Sequence, residues 1–208
     1  DEELGMNHLK KSIDKGVFSP VLAKSMLSFT YLYYKGIPDS AFYYIRPLVT
    51  KYPESTDFLS LLMNIYGYEA LEYGNTDWTE FLECIRKLEK RMEKREEVLN
   101  DWYIQKILFY KIIIHFAQNE YELTEKLALD YIDKYDDNEK FSGVVYWLLG
   151  QLYDSRENRK KAVDYYEEAD NCDEIGNLKE IIKNSLKEPN DKLEFLNRGY
   201  YFSLPGEP

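Results

Sequence analysis

The sequence has few of the residues on which enzymes and metal sites depend. Its 208 residues include only two histidines and two cysteines. It also contains no phosphate-binding glycine loop, no nucleophile elbow and no His-Glu-x-x-His or Cys-x-x-Cys motif. His115 lies in an apolar run and is interpreted as a core or groove residue, whereas His8 is interpreted as exposed. Because catalysis needs a tuned base, a nucleophile or a metal, we predict no catalytic, cofactor-binding or metal-binding residues.

Two further absences limit the compartment and the class of protein. Cys84 and Cys172 are too few for a disulfide scaffold and too far from any histidine pattern for zinc, so both are interpreted as packing residues. The longest apolar runs, such as 111–117, are far shorter than the roughly 20 residues of a membrane-spanning helix. The chain begins at Asp1 without methionine. This favours a removed leader and a cell-envelope or periplasmic location over the cytoplasm, although a fragment of a longer protein would look the same.

Positive charge is also scarce. There are 27 basic against 38 acidic residues, which gives a formal charge of −11. A surface of this sign repels the phosphates of nucleic acids and anionic lipids, so neither is expected as a partner. The one basic run, residues 86–95, has acidic residues interleaved at helical spacing and is interpreted as a solvated helix face. With only 10 Gly and 7 Pro against 20 Tyr, the composition argues against disorder.

Helical periodicity is what the sequence has in abundance. Apolar residues recur at i, i+3, i+4 and i+7 from end to end, with almost no alternation of period two, so the predicted fold class is all-α. Glycine, proline, asparagine and aspartate mark breaks between helices of roughly 13 to 20 residues, and short loops imply antiparallel neighbours. The breaks are predicted at Gly16, 35–39, 52–53, 73–77, 100–101, 136–138 and 157–158.

One stretch, residues 146–169, carries a specific repeat signature and resembles a tetratricopeptide repeat. If Gly150 takes the eighth position of the repeat, the other signature positions hold Leu149, Tyr153, Ala162, Tyr166 and Ala169. Only the final proline is missing, because Glu174 stands in its place. The resemblance implies a right-handed α-α superhelix, a solenoid of antiparallel helix pairs in which small residues allow close approach and aromatic residues fill the gaps.

The same register predicts how the chain is divided. About four repeats would start near residues 22, 60, 105 and 143 and cover 20–172, with spacings somewhat longer than the usual 34 or so. Residues 1–19 would contain one amphipathic helix, 4–15, as half of a truncated repeat. Residues 173–208 would contain a polar capping helix over 174–186, a short helix over 191–198 and an apolar tail over 199–205. The tail either packs on the cap or binds a partner.

The resemblance also implies where a partner would bind, because the first helix of each tetratricopeptide repeat lines a concave groove. Carried over to this chain, the partner-binding candidates are Tyr34, Asn64, Tyr68, Lys106, Phe109, Trp147 and Gln151. Further groove positions are Met26, Thr30, Tyr33, Glu72, Ile113, Phe116 and Asp154. Aromatic residues with a few amide and charged groups are typical of a peptide-binding surface.

Some of these positions have a second interpretation. Four of them fit a core position equally well, namely Tyr33, Phe109, Ile113 and Phe116. Four others have a polar ring atom or a side-chain amide, which favours a partly solvated groove. They are Tyr34, Tyr68, Trp147 and Gln151. Chaperone-binding members of the family hold a C-terminal carboxylate with Lys and Asn at positions that here contain Met26, Thr30, Ile65, Lys106 and Tyr110. Only Lys106 fits, so we do not expect a carboxylate clamp.

The sequence leaves three functional hypotheses. The first is a non-catalytic scaffold or adaptor that binds a protein or peptide, and the acidic surface favours a partner with basic or apolar side chains. The second is a self-association module, because a truncated first repeat would leave an apolar face open to form a homo-oligomer. The third is a carrier of a small apolar or amphipathic ligand in an aromatic pocket near Tyr68, Phe109 and Trp147.

Overall fold

The computed structural model describes residues 2–15, 20–74, 76–94, 101–135, 141–172 and 178–189. Within these ranges every regular element is a helix, which confirms the all-α fold class. The helices are α1 (Glu2–Lys15), α2 (Pro20–Tyr33), α3 (Pro38–Lys51), α4 (Thr56–Tyr73), α5 (Trp78–Lys94), α6 (Asp101–Ala117), α7 (Tyr121–Tyr135), α8 (Ser142–Ser155), α9 (Arg159–Asn171) and α10 (Leu178–Lys187).

Five of the predicted breaks correspond to described helix ends. They lie between α2 and α3, between α3 and α4, between α4 and α5, at the start of α6 at Asp101, and between α8 and α9. The break at Gly16, the break at 136–138, the start of the capping helix at 174, the helix at 191–198 and the tail at 199–205 fall outside the described residues. The described part of the capping helix is α10.

The turn from α2 to α3 shows how local sequence sets a helix start. α3 begins at Pro38, whose fixed φ suits a first helical residue and whose missing N–H is not needed there. Gly36 has φ 61°, a left-handed conformation that favours glycine. A Cβ at this position would also stand 2.7 Å from the Tyr68 hydroxyl. The left-handed backbone therefore favours glycine in this turn, and a Cβ here would also displace the Tyr68 hydroxyl.

The chain divides into two compact units. Unit 1 comprises residues 1–69 and 79–97, and unit 2 comprises residues 70–78 and 98–208. In unit 1, apolar residues of α2, α3, α4 and α5 form the buried core; among them are Leu27, Leu32, Ile45, Leu59, Met63 and Phe81. The burial of such side chains contributes roughly 1.5–3 kcal/mol each and is the main force that holds these helices together.

Polar bonds add specificity to the packing of unit 1. The Ser28 hydroxyl of α2 donates to the Ala41 carbonyl of α3 at 2.9 Å. Glu80 of α5 accepts from the Tyr66 hydroxyl at 2.5 Å and from the Arg46 guanidinium at 3.1 Å. Burial and the Glu80 carboxylate raise the pKa of Tyr66 well above its ordinary value, so the phenol remains a donor. The Ser28 bond joins α2 to α3, and the two bonds of Glu80 join α3 and α4 to α5.

In unit 2, the helices from α6 to α10 contact one another in chain order. α8 is buried along nearly its whole length, from Ser142 to Asp154, as expected of a helix that is hydrophobic on every side. α8 and α9 approach closely at Gly150, where an added Cβ would stand 2.3 Å from the Tyr166 ring of α9. A small residue at this position is therefore a condition for the α8–α9 contact.

Candidate binding surface

α2 presents apolar side chains to solvent on the side opposite its buried residues. Leu22 is 60% exposed, Met26 47% and Phe29 41%, and their spacing of i, i+4 and i+7 places them on one side of the helix. Tyr34, directly after α2, is 73% exposed. We call the surface formed by Leu22, Met26, Phe29, Tyr33 and Tyr34 the α2 face. Contiguous exposed apolar side chains of this kind mark interaction sites more often than isolated ones do.

The aromatic end of the α2 face is ordered by ring contacts. The ring centroids of Phe29 and Tyr33 are 4.5 Å apart, and those of Phe29 and Tyr34 are 6.2 Å apart. The Tyr33 hydroxyl accepts a hydrogen bond of 2.9 Å from the side-chain amide of Asn64 on α4. Rigid rings lose little conformational entropy when a partner covers them, which suits a binding surface.

The three predicted partner-binding residues of unit 1 take different roles. Tyr34 lies on the α2 face and is the most accessible of them. Asn64 is only 6% exposed and donates a hydrogen bond to the Tyr33 hydroxyl. It therefore positions the α2 face and does not contact a partner directly. Tyr68 is half-buried with its hydroxyl against Gly36, in the turn that follows Tyr34.

The four predicted partner-binding residues of unit 2 lie in its interior. Lys106, Phe109, Trp147 and Gln151 are all buried. The Lys106 ammonium stands 4.5 Å from the centre of the Trp102 ring, a cation–π contact, and Phe109 stacks on Phe141 with centroids 4.3 Å apart. The partly solvated environment expected for Trp147 and Gln151 is therefore not found, because α8 is covered on all sides.

The same burial affects the remaining groove positions of α6 and α8 and the small-ligand hypothesis. Ile113, Phe116 and Asp154 are buried as well, so the core interpretation applies to Phe109, Ile113 and Phe116. The aromatic pocket predicted near Tyr68, Phe109 and Trp147 has no accessible wall at either of the last two residues. Phe109 and Trp147 therefore offer no surface for direct contact with a ligand.

Sequence reasoning missed Leu22 and Phe29, the two apolar residues that extend the α2 face. The signal was present, because 22, 26, 29 and 33 form an i, i+4, i+7, i+11 series on one side of α2. A second apolar series, including Leu27 and Leu32, lies on the buried side. The groove positions carried over from the repeat family include Met26 and Tyr33 on this side of α2 but neither Leu22 nor Phe29.

His115 and Cys84 are both buried in the described structure. No group of three or more His, Cys, Asp or Glu residues among them is arranged to hold a metal ion. The Nδ1 atom of His115 lies 2.6 Å from Glu120 Oε2, and burial raises the pKa of the Cys84 thiol to about 12. Cys84 is thus a thiol, not a thiolate, at neutral pH. None of the described helices has both the length and the apolar composition that crossing a bilayer requires.

Comparison of the sequence with protein-family models, and of the chain with curated proteins and solved structures, gives no significant match.

Proposed function

We propose that the protein is a non-catalytic scaffold or adaptor of tetratricopeptide type that binds a peptide or a protein segment through the α2 face. The observation that carries the proposal is the row of exposed apolar side chains on α2, which ends in the ordered aromatic group of Phe29, Tyr33 and Tyr34. Leaving these side chains in water is costly, and covering them would contribute roughly 25 cal/mol per Å² of apolar surface.

Two features support the repeat architecture within this proposal. Gly150 and Tyr166 occupy the eighth and twenty-fourth positions of the repeat signature, and they are in direct contact across α8 and α9. In unit 2 each helix from α6 to α10 contacts the next one along the chain, as stacked helical hairpins do. A right-handed superhelix of such hairpins is the architecture that we propose.

The composition of the face and the charge of the chain define the proposed partner. Leu22, Met26 and Phe29 would receive apolar anchors, and an amphipathic helix or extended segment offers these at compatible spacing. The formal charge of −11 favours basic residues on the flanks of such a segment, because opposite charges accelerate encounter and suppress wrong partners. The proposed partner is therefore apolar in its centre and basic at its edges.

Selection from a displayed library of linear peptides tests this function. The wild-type protein is the bait, and a Met26→Glu/Phe29→Glu variant is used for counter-selection. Both substituted side chains are exposed, so the variant should keep its helix content and its melting transition. A matched control is Leu123→Glu/Leu129→Glu, which changes exposed apolar residues of α7. We expect enriched peptides with apolar centres and basic flanks that bind wild type and control but not the α2 variant.

Self-association through the same face predicts a different result. Sedimentation of the wild type over a hundredfold or so range of concentration would then give a rising mass that the Met26→Glu/Phe29→Glu change abolishes. If the mass stays that of a monomer and the library yields no peptide specific for the α2 face, the proposed function is wrong.

A further inference from the structure

A second concave surface of unit 1 lies between α1, α2 and α3, away from the residues of the α2 face. It is a cleft of about 400 Å³ lined by Lys10, Ile13, Asp14, Lys24, Tyr43, Tyr44 and Pro47. We call it the tyrosine cleft. The repeat signature assigns no role to any of these residues, and the proposed peptide binding does not use them.

Aromatic surface forms one wall of the tyrosine cleft. Tyr44 stacks on Tyr31 with centroids 5.7 Å apart and an angle of 11° between the rings, so its position is fixed by packing. Tyr43 meets Tyr44 edge to face at 5.0 Å and is itself 74% exposed. A flat apolar ligand in the cleft would therefore contact the fixed Tyr44 ring, and the exposed Tyr43 ring would pack over it.

Two ammonium groups from two different helices line the cleft. Lys10 comes from α1 and Lys24 from α2, while Asp14 is the one carboxylate among the lining residues. A hydrogen bond with Tyr31 raises the pKa of Lys10, so its ammonium stays charged at neutral pH. The Lys24 ammonium forms no hydrogen bond or ion pair with the described residues. The lining thus has one net positive charge in a protein whose formal charge is −11.

The cleft therefore combines a fixed aromatic wall, two cationic groups and one carboxylate, that of Asp14. The net positive charge of the lining selects an anion, because the two ammonium groups outnumber the one carboxylate.

We propose that the tyrosine cleft binds a small aromatic carboxylate, with its ring against Tyr43 and Tyr44 and its carboxylate between Lys10 and Lys24. The carboxylate receives charge-assisted hydrogen bonds from the two ammonium groups, which are stronger than bonds between neutral groups. The ring is held by aromatic packing, which adds to the area that it buries. Because the cleft is open and the ligand small, we expect a Kd on the order of 1 mM.

Ligand-detected NMR with three related compounds tests the proposal on the 208-residue chain. Hydrocinnamate has the ring and the carboxylate, hydrocinnamamide has the same ring without the charge, and phenethylamine has a ring with the opposite charge. We expect saturation transfer and a measurable Kd for hydrocinnamate only. Equal or stronger binding of phenethylamine would show that Asp14 dominates the site, and it would overturn the proposal, as would the absence of hydrocinnamate binding at about 10 mM.

Matched variants assign the binding to the cleft. Lys24→Met removes one ammonium and keeps an apolar chain, and we expect the Kd for hydrocinnamate to rise about five- to tenfold. The control is Lys51→Met, at an exposed lysine at the end of α3 outside the cleft, and it should leave the Kd unchanged. Tyr43→Ala should weaken binding about three- to tenfold, because the ring that covers the ligand is lost.

Two variants distinguish peptide binding at the α2 face from ligand binding in the tyrosine cleft. Tyr34→Ala, on the α2 face, should leave hydrocinnamate binding intact and impair peptide binding, whereas Tyr43→Ala should do the reverse. Both tyrosines are largely exposed, so neither change should prevent folding. If Lys24→Met and Lys51→Met bind hydrocinnamate with the same affinity as the wild type, the cleft is not the site.

Discussion

The side-chain amide of Asn64 donates a 2.9 Å hydrogen bond to the hydroxyl of Tyr33, and this bond ties α4 to the α2 face. Tyr33 in turn contacts Phe29, with 4.5 Å between the ring centroids. Asn64 is nearly inaccessible, and its Oδ1 atom has no hydrogen-bond partner among the described residues. This hydrogen bond therefore holds the Tyr33 ring of the α2 face against α4.

Removal of either partner of this bond should have the same effect as removal of both. Asn64→Leu and Tyr33→Phe should each lower the free energy of unfolding by about 1 kcal/mol, the net contribution of one hydrogen bond. The double variant should lose scarcely more than either single variant, so a double-mutant cycle from urea unfolding should give a coupling of about 0.5–1.5 kcal/mol. Strictly additive losses would mean that the two groups do not interact in solution.

Gly150→Ala should destabilise the protein far more than its one methyl group suggests. The new Cβ would stand 2.3 Å from Cε1 of Tyr166, a fully buried ring, so α8 and α9 must separate. We expect a loss of about 2–3 kcal/mol in chemical unfolding, as in other overpacked cores.

Two further variants make the Gly150 prediction specific. Gly5→Ala is the matched control, since Gly5 lies in α1 with nothing within 4 Å of the added Cβ, and it should be neutral or stabilising by up to about 1 kcal/mol. In a Tyr166→Leu background, the cost of Gly150→Ala should fall. An unchanged cost in that background would show that the clash with Tyr166 is not its cause.

Arg159 should control the attachment of α10. Its guanidinium donates to Asp154 at 2.8 Å and to the carbonyls of Ser185 at 2.7 Å and Leu186 at 2.9 Å, near the end of α10. Arg159→Met removes these bonds and the cation beside the buried Asp154 carboxylate, so we expect a loss of about 2–3 kcal/mol. Amide hydrogen exchange in α10 should accelerate while that in α6 does not. Lys160→Met, at an exposed neighbour in α9, is the control and should leave α10 protected.

Glu125 should make part of the stability depend on pH. Burial raises the pKa of this carboxyl, but hydrogen bonds from Tyr153 and Arg156 outweigh it, and the pKa in the folded protein is lowered. A group of this kind stabilises the fold above its unfolded pKa of about 4.3, and the contribution is lost as pH falls through the lower folded value. In the Glu125→Gln variant, the free energy of unfolding should therefore fall less steeply between about pH 5 and 3 than in the wild type. Glu122→Gln, at an exposed site on the same helix, should leave the slope as in the wild type.

Helix positions could be predicted well because they depend on local signals. Gly36 and Pro38 marked the turn between α2 and α3, and Asn158 marked the start of α9, where its side chain accepts from the Lys161 N–H. The absence of a side chain at Gly150 also predicted a close contact, and the Tyr166 ring packs against this glycine. Such signals depend on backbone conformation or on steric space within a few helical turns, which the sequence specifies directly.

The exposure of the site residues could not be predicted in the same way. Trp147 and Gln151 are buried because α8 is covered on every side, and Lys106 is buried because its alkyl chain lies in the interior while its ammonium contacts Trp102. Periodicity identifies the apolar side of a helix but not what covers it. The continuous hydrophobicity of α8 was the available sign of full burial, and the second apolar side of α2 was the sign of an exposed surface.

Calorimetric titration of a peptide selected on the wild type most directly tests whether the α2 face is the binding surface. The proteins compared are the wild type, Phe29→Ala/Tyr34→Ala, and the control Leu123→Ala/Leu129→Ala on α7, all at exposed positions. We expect the Kd to rise at least about thirtyfold in the α2 variant, as at an aromatic hot spot, and by less than about twofold in the control. Equal affinities in all three proteins would show that the α2 face is not the binding surface.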